Sequence, residues 1–174
     1  MGKILETERL ILRTWTYADD ERLFEICSDA ETMLHIGDRQ PYESIEAARE
    51  FLNWAVPYQL KMGFCRWAVI EKQSGEIIGS CGFAFRDMEE VEIGYLFARE
   101  VWGKGFATEA ARACLKYGFD KIGFETIIGL TDLDHEKSQN VLRKIGFRER
   151  GVVRNPDGNL DLVLEITNQD KTDS

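Results

Sequence analysis

Histidine is scarce in this chain, and that scarcity narrows the chemistry first. Only His35 and His135 occur in 174 residues. Two are too few for a His-rich metal centre, so no structural metal is expected. The four cysteines, Cys27, Cys65, Cys81 and Cys114, are widely spaced and form no C-x-x-C pair. They suit neither a zinc knuckle nor a disulfide framework, and fit buried thiols in a reducing, cytoplasmic compartment. No apolar run approaches the ~18 residues of a membrane span. MGKILETERL has no signal-peptide core, and Glu6 stands where myristoylation needs Ser or Thr. Basic residues are the minority, 22 against 31 acidic, for a net charge of −9. Nonspecific nucleic-acid binding needs a basic face, so neither nucleic acid nor membrane is an expected partner. An acidic protein favours a cationic acceptor such as an amine, although solubility alone also accounts for the charge. There is no Gly-x-Ser-x-Gly elbow and no Walker A loop. A covalent acyl-enzyme and a P-loop nucleotide site are therefore unsupported.

What is present centres on Val91–Leu115. Val91, Ile93, Tyr95 and Phe97 alternate with Glu92, Gly94 and Leu96, the period of a strand. Trp102-Gly103-Lys104-Gly105 follows. Beyond it Ala107, Ala110, Ala111, Cys114 and Leu115 recur with helical spacing. The first amides of that helix lack intrahelical partners and lie at the positive end of its dipole. Gly103 and Gly105 leave the backbone open, Lys104 adds charge and Thr108 adds a hydroxyl. The expected ligand is a phosphate or pyrophosphate on residues 103–108. A plain strand-to-helix turn would need the same two glycines. A dinucleotide fold is disfavoured, because the turn comes after three strands in a row.

The string EIGYLFAREVWGKGFATEAARACLKYGFD resembles motif A of the GNAT N-acetyltransferases. It is most similar to the RimJ/RimL branch, which contains ribosomal-protein N-terminal acetyltransferases. Gly103 and Gly105 match the glycines of the family's Gln/Arg-x-x-Gly-x-Gly/Ala pattern, and Glu100 departs from it. The resemblance runs from ETERLILR to the last strand. It implies an α+β fold, a mostly antiparallel mixed sheet of about six or seven strands with about four helices. In that fold the fourth and fifth strands are parallel and splay apart around the pantetheine arm of acetyl-CoA. A single domain over 1–168 is expected, with 169–174 a disordered tail, as monomer or homodimer.

Taken in order, 9–14 reads as a strand, 17–28 as a helix, and 29–42 as loop or broken helix. Ser44 opens a helix that Pro57 should kink or end, with a weaker turn to Met62. Strands follow at 65–71, 77–85 and 91–98, with a turn at Asp87-Met88-Glu89. Helix 105–120, strand 124–131 and helix 135–145 come next. Strands 147–154 and 159–167 pair across Asn155-Pro156-Asp157-Gly158. The β-α-β form makes 91–98 and 124–131 parallel neighbours.

The resemblance assigns roles residue by residue. Glu92 is the candidate base, through water, and also contacts the acceptor. The Leu96 amide is the candidate oxyanion donor, with Phe97 pairing to pantetheine. Gly103, Lys104, Gly105, Phe106, Ala107 and Thr108 hold the pyrophosphate. HEKSQNVLRKIGF resembles the family's Asn-x-x-Ser segment, so His135 and Ser138 join the cofactor site. Leu142 occupies the place of the usual tyrosine acid, which leaves Ser138 or water to protonate the thiolate. His35 borders the acceptor site, as a substrate contact, a base or a structural residue. Trp54, Tyr58 and Phe64 either line an acceptor pocket or pack in the core. The implied function is acetyl transfer from acetyl-CoA to a primary amine. The acceptor is a protein N-terminal α-amine or a small-molecule amine. A noncatalytic acyl-CoA sensor is the alternative, favoured by the departures at Glu100, His135 and Leu142.

Overall fold

A computed structural model describes residues 2–37, 39–86, 90–155 and 158–170. Eight strands form one sheet in the order β1-β2-β3-β4-β5-β6-β8-β7. They are β1 (Lys3–Glu6), β2 (Leu10–Arg13), β3 (Arg66–Glu71), β4 (Ile77–Arg86), β5 (Glu90–Phe97), β6 (Thr126–Asp132), β7 (Arg148–Arg154) and β8 (Leu160–Thr167). The helices are α1 (Asp20–Cys27), α2 (Ala30–Met33), α3 (Ile45–Met62), α4 (Phe106–Tyr117) and α5 (Glu136–Lys144). The sheet is antiparallel except for β5 and β6.

Two elements exceed the sequence expectation. Strand β1 is an eighth strand, four residues long, too short to show an alternation of its own. Helix α2 is a fifth helix, a single turn capped by Asp29, whose side chain accepts from the Thr32 amide at 2.7 Å. Pro57, expected to kink or end its helix, lies inside α3, which runs on to Gly63 at φ 78°. A proline removes one intrahelical bond, and contacts beyond it hold this helix. Tyr58 Oη accepts from the Phe85 amide at 2.8 Å, and Gln59 Oε1 accepts from Trp67 Nε1 at 2.7 Å.

Of the expected disordered tail, 169–174, Gln169 and Asp170 are described. The Asp170 carboxylate accepts from the Thr167 amide and hydroxyl, which closes the end of β8. Residues 171–174 lie outside the described residues, as do Asp87–Glu89 and Pro156–Asp157 of the expected turns. No described helix is long and apolar enough to cross a membrane.

The alternation of β3 to β5 sorts function by face. Trp67, Cys81 and Phe83 point toward α4, where they meet Tyr117, Cys114 and Gly118. Arg66, Glu92 and Gly94 share the opposite face, where the Arg66 side chain lies on Gly94 and reaches Glu92. All four cysteines are free and buried. Burial pushes Cys27 up to about 12 and Cys65 up to about 11, so neither supplies a thiolate near neutral pH.

Candidate active site

The connection from β5 to α4 builds an anion cradle. Gly103 and Gly105 have φ of 76° and 81°, a left-handed conformation that glycine adopts without strain. Gly105 is the N-cap of α4 and no side chain caps the helix. The amides of Phe106, Ala107 and Thr108 therefore have no partner within the helix. Nothing lies within 4 Å of a Cβ built on Gly103. This open, uncapped helix start suits a pyrophosphate. The Phe106 side chain is buried, so that residue can offer only its backbone.

The cradle is braced from the chain's start. Glu109, in the first turn of α4, accepts from the Thr7 hydroxyl at 2.5 Å and from the Arg9 amide at 3.0 Å. It also pairs with the Arg9 guanidinium at 2.6 Å. Arg9 Nη1 donates to Lys104 O at 2.9 Å, and the guanidinium covers the Phe106 ring. Glu100 pairs with Arg22 at 3.0 Å, away from the cradle. Trp102 Nε1 donates to Phe97 O at 2.7 Å and fixes the turn onto β5.

Strands β5 and β6 share one registered pair, Glu92 with Ile128. Beyond it β5 runs on to Phe97 with β4 as its paired neighbour, and β6 runs on to Asp132 paired to β8. The two strands part at Glu92. The Ala98 amide donates to Ile78 O at 2.9 Å. Amides two residues apart point the same way, so the Leu96 amide faces β4, opposite Ser80. The role expected of Leu96 as oxyanion donor is corrected on this ground. The amides aimed into the gap are those of Tyr95 and Phe97.

The gap has different chemistry on its two faces. On the face away from α4, Glu92 Oε1 accepts from Arg66 Nη2 at 2.8 Å. Arg66 reaches it across Gly94, where a Cβ would lie 2.5 Å from Arg66 Nε. On the other face the Tyr95 hydroxyl meets Ser138 Oγ at 2.9 Å and Ser138 O at 3.1 Å. Burial raises the Tyr95 hydroxyl above its ordinary range, so it stays protonated. Leu142 is 1% exposed and packs on Gly129, a core role with no proton to give.

The two histidines come together, as sequence separation gives no reason to expect. Their rings stack at 3.9 Å and 15°. His35 Nδ1 lies 2.5 Å from Asp132 Oδ2, and Arg39 Nη2 lies 2.5 Å from Asp132 Oδ1. His35, Asp132 and Asp134 bring potential ligand atoms within 4.8 Å of one another. Arg39 already supplies that carboxylate with a cation. His135 is pushed down to about 4, first by burial and then by the charge of His35.

A ring neutral in the fold and protonated when unfolded makes stability full above pH 6.5 and lost as pH falls toward 4. For this half-buried ring the loss is on the order of 1 kcal/mol after solvent screening. His135→Asn is expected to flatten the melting temperature between pH 6.5 and 5, above the carboxylate range, in a thermal melt series.

The residues that sequence reading missed are the partners: Arg66, Tyr95, Asp132, Arg9 and Glu109. Only Tyr95 carried a signal, since strand alternation places it on the face opposite Glu92. Of the aromatics expected near an acceptor, Phe64 is buried and Tyr58 bonds to β4. Trp54 lines an open groove of about 610 Å³ with Tyr42, Glu43, Glu46, Glu50 and Phe51.

A mixed sheet parted at one parallel pair, beside an uncapped helix start, has the open space and exposed amides to take an acyl-CoA. The comparisons agree. Residues 9–148 match the acetyltransferase (GNAT) domain, and the chain belongs to that family. It is 38% identical over 157 residues to YoaA of Bacillus subtilis strain 168, named an uncharacterized N-acetyltransferase, covering 88% of each chain. A GNAT-family acetyltransferase from Bacillus anthracis is similar in structure, with a TM-score of 0.81 at 27% identity over 94% of this chain and 98% of that one. RimL, a ribosomal L7/L12 α-N-protein acetyltransferase solved with coenzyme A, shares the fold with a TM-score of 0.83 at 16% identity, over 95% and 98% of the two chains. The protein is an acetyl-CoA-dependent N-acetyltransferase.

Proposed function

We propose that this chain moves the acetyl group of acetyl-CoA to a primary amine by direct attack. A peptide or protein α-amine is the first-ranked acceptor and a small cationic amine the second. The observation that carries this is the parting of β5 and β6 at Glu92, with an acid-base group on each face of the gap. Acetyl-CoA supplies the acetyl group and departs as coenzyme A. Residues 103–108 hold its pyrophosphate through their amides. The Tyr95 and Phe97 amides orient the thioester carbonyl and the pantetheine arm. Glu92 takes a proton from the attacking nitrogen, directly or through water. The Tyr95 and Ser138 hydroxyls, bonded to each other at 2.9 Å, are the candidates to return a proton to the leaving sulfur. An α-amine suits such a site, because its pKa near 8 asks less of a base than the ~10.4 of lysine.

Thermal shift tests the reading. Acetyl-CoA and coenzyme A at ~100 times Kd should each add about 2.7 kcal/mol of stability, while NAD and ATP add none. Gly105→Ala forces a side chain to φ 81° in the cradle. It is expected to weaken coenzyme A binding roughly tenfold, or ~1.4 kcal/mol. No shift with either coenzyme A species would sink the cradle. A shift without thiol release on any amine would favour a noncatalytic sensor.

A further inference from the structure

Acetyl transfer to a protonated amine takes two protons off one nitrogen. An ammonium and an acetyl thioester become an amide, a thiol and one free proton. One N–H proton therefore ends on sulfur and the other in water. Glu92 can accept one of them, and no group has yet been assigned the other. We propose that His35, oriented by Asp132, accepts the proton that turns the arriving ammonium into free amine. Asp132 is then its positioning residue. The inference rests on the acetyl-transfer reading given above.

Geometry fixes the roles. Nδ1 of His35 lies 2.5 Å from a carboxylate oxygen, so it is the donating nitrogen of the neutral ring. Nε2 is left with the lone pair, the form a base requires. Asp132 is only 7% exposed, and Arg39 holds its second oxygen, so the carboxylate cannot swing away. An imidazolium formed at His35 would sit directly against this anion.

The surrounding charges favour that arrangement. Asp161 of β8 lies opposite Asp132 of β6. Burial, then hydrogen bonding to Asp132, raises the Asp161 carboxyl. His135 stacks on His35 and stays neutral near pH 7, so it does not oppose a charge there. Asp134, just before α5, and Lys137, in its first turn, act on the His135 imidazole with opposite signs.

Position agrees with the task. Ile128, Leu130 and Asp132 alternate onto one face of β6. Ile128 registers with Glu92, so Asp132 lies on the Glu92 face of the sheet, toward the open end of the gap. Through Asp132, His35 is held at the C-terminal end of β6, four residues past the registered pair. His135, on which it stacks, is one helical turn from Ser138, whose amide donates to His135 O at 3.1 Å.

The test uses two amines of one skeleton, ethylamine and 2,2,2-trifluoroethylamine, at pH 7.5. The first is an ammonium at that pH and the second a free amine. Thiol release from acetyl-CoA gives kcat/KM for the unaltered protein, His35→Gln, Asp132→Asn and Glu92→Gln. The two dyad variants are expected to lose about 10²-fold on ethylamine and almost nothing on the fluorinated amine. Glu92→Gln should lose activity on both. Equal losses of the dyad variants on the two amines would overturn the proposal.

Asp132→Asn can perturb folding, so a second measurement uses the unaltered protein. Nitrogen-resolved NMR should show neutral His35 as the Nδ1–H tautomer, and an Nε2–H tautomer would overturn the dyad. If the unaltered protein acetylates neither these amines nor a peptide α-amine, the acetyl-transfer reading fails instead, and an Nε2–H tautomer would still overturn the dyad.

Discussion

Glu92→Gln is expected to slow acetyl transfer by roughly 10²- to 10⁴-fold, the usual worth of a positioned base. The substitution is nearly isosteric. A glutamine oxygen can still accept from Arg66 Nη2, so the contact across Gly94 survives. The pairing of β5 with β4 and β6 involves backbone only and is unchanged. What is lost is the ability to take a proton where the strands part. Coenzyme A should stabilise the variant as it does the parent, because the cradle lies beyond the far end of β5. Steady-state thiol release across pH, with a thermal shift beside it, checks both halves. A variant that keeps its rate and its pH profile would remove Glu92 from the proton path. Loss of the coenzyme A shift as well would mean that Glu92 has a structural role.

Trp67→Ala is expected to cost about 3–5 kcal/mol of stability, the range for a large buried aromatic. At this chain length each kcal/mol is worth roughly 2–4 °C, so the melting temperature should fall on the order of 10 °C. Trp67 is fully buried. Its ring meets Phe83 and Tyr117 edge to face, at 5.9 and 5.6 Å. Gly82 packs against it so closely that a Cβ there would lie 3.0 Å from the indole. Neighbours that belong to sheet backbone and to α4 cannot close over the space. Removing the indole also leaves Gln59 Oε1 without its 2.7 Å donor, a partly buried acceptor that must find another partner. Calorimetry or urea unfolding measures the loss. A change under 1 kcal/mol would mean that the α3 end and the sheet can repack around the space.

Much of this site was legible in the chain because its signals are local. Two glycines before an amphipathic helix announce a left-handed turn and an open helix start, since backbone sign and helix dipole are set within a few residues. The alternation of 91–97 announced the strand, and the resemblance announced which strand would part from it. Local signals also misled. A proline predicts a break from its missing N–H alone, yet α3 passes through Pro57 because Tyr58 and Gln59 are tied to other elements. The Leu96 amide was assigned by position in a motif, and its direction depends on the phase of the β4 ladder.

The pairs that complete the chemistry were not legible. Arg66 is 26 residues from Glu92, Tyr95 is 43 from Ser138, and His35 is 97 from Asp132. No periodicity links such partners, because sheet register and helix docking bring them within hydrogen-bond reach. The sequence alone determined the order of seven strands and four helices and the glycine turn before α4. Those follow from propensity and backbone freedom. The tertiary structure alone decided that Glu92 faces Arg66, that Tyr95 backs Ser138 and that Asp132 aims His35. Each depends on which residues stand opposite one another after the sheet has closed.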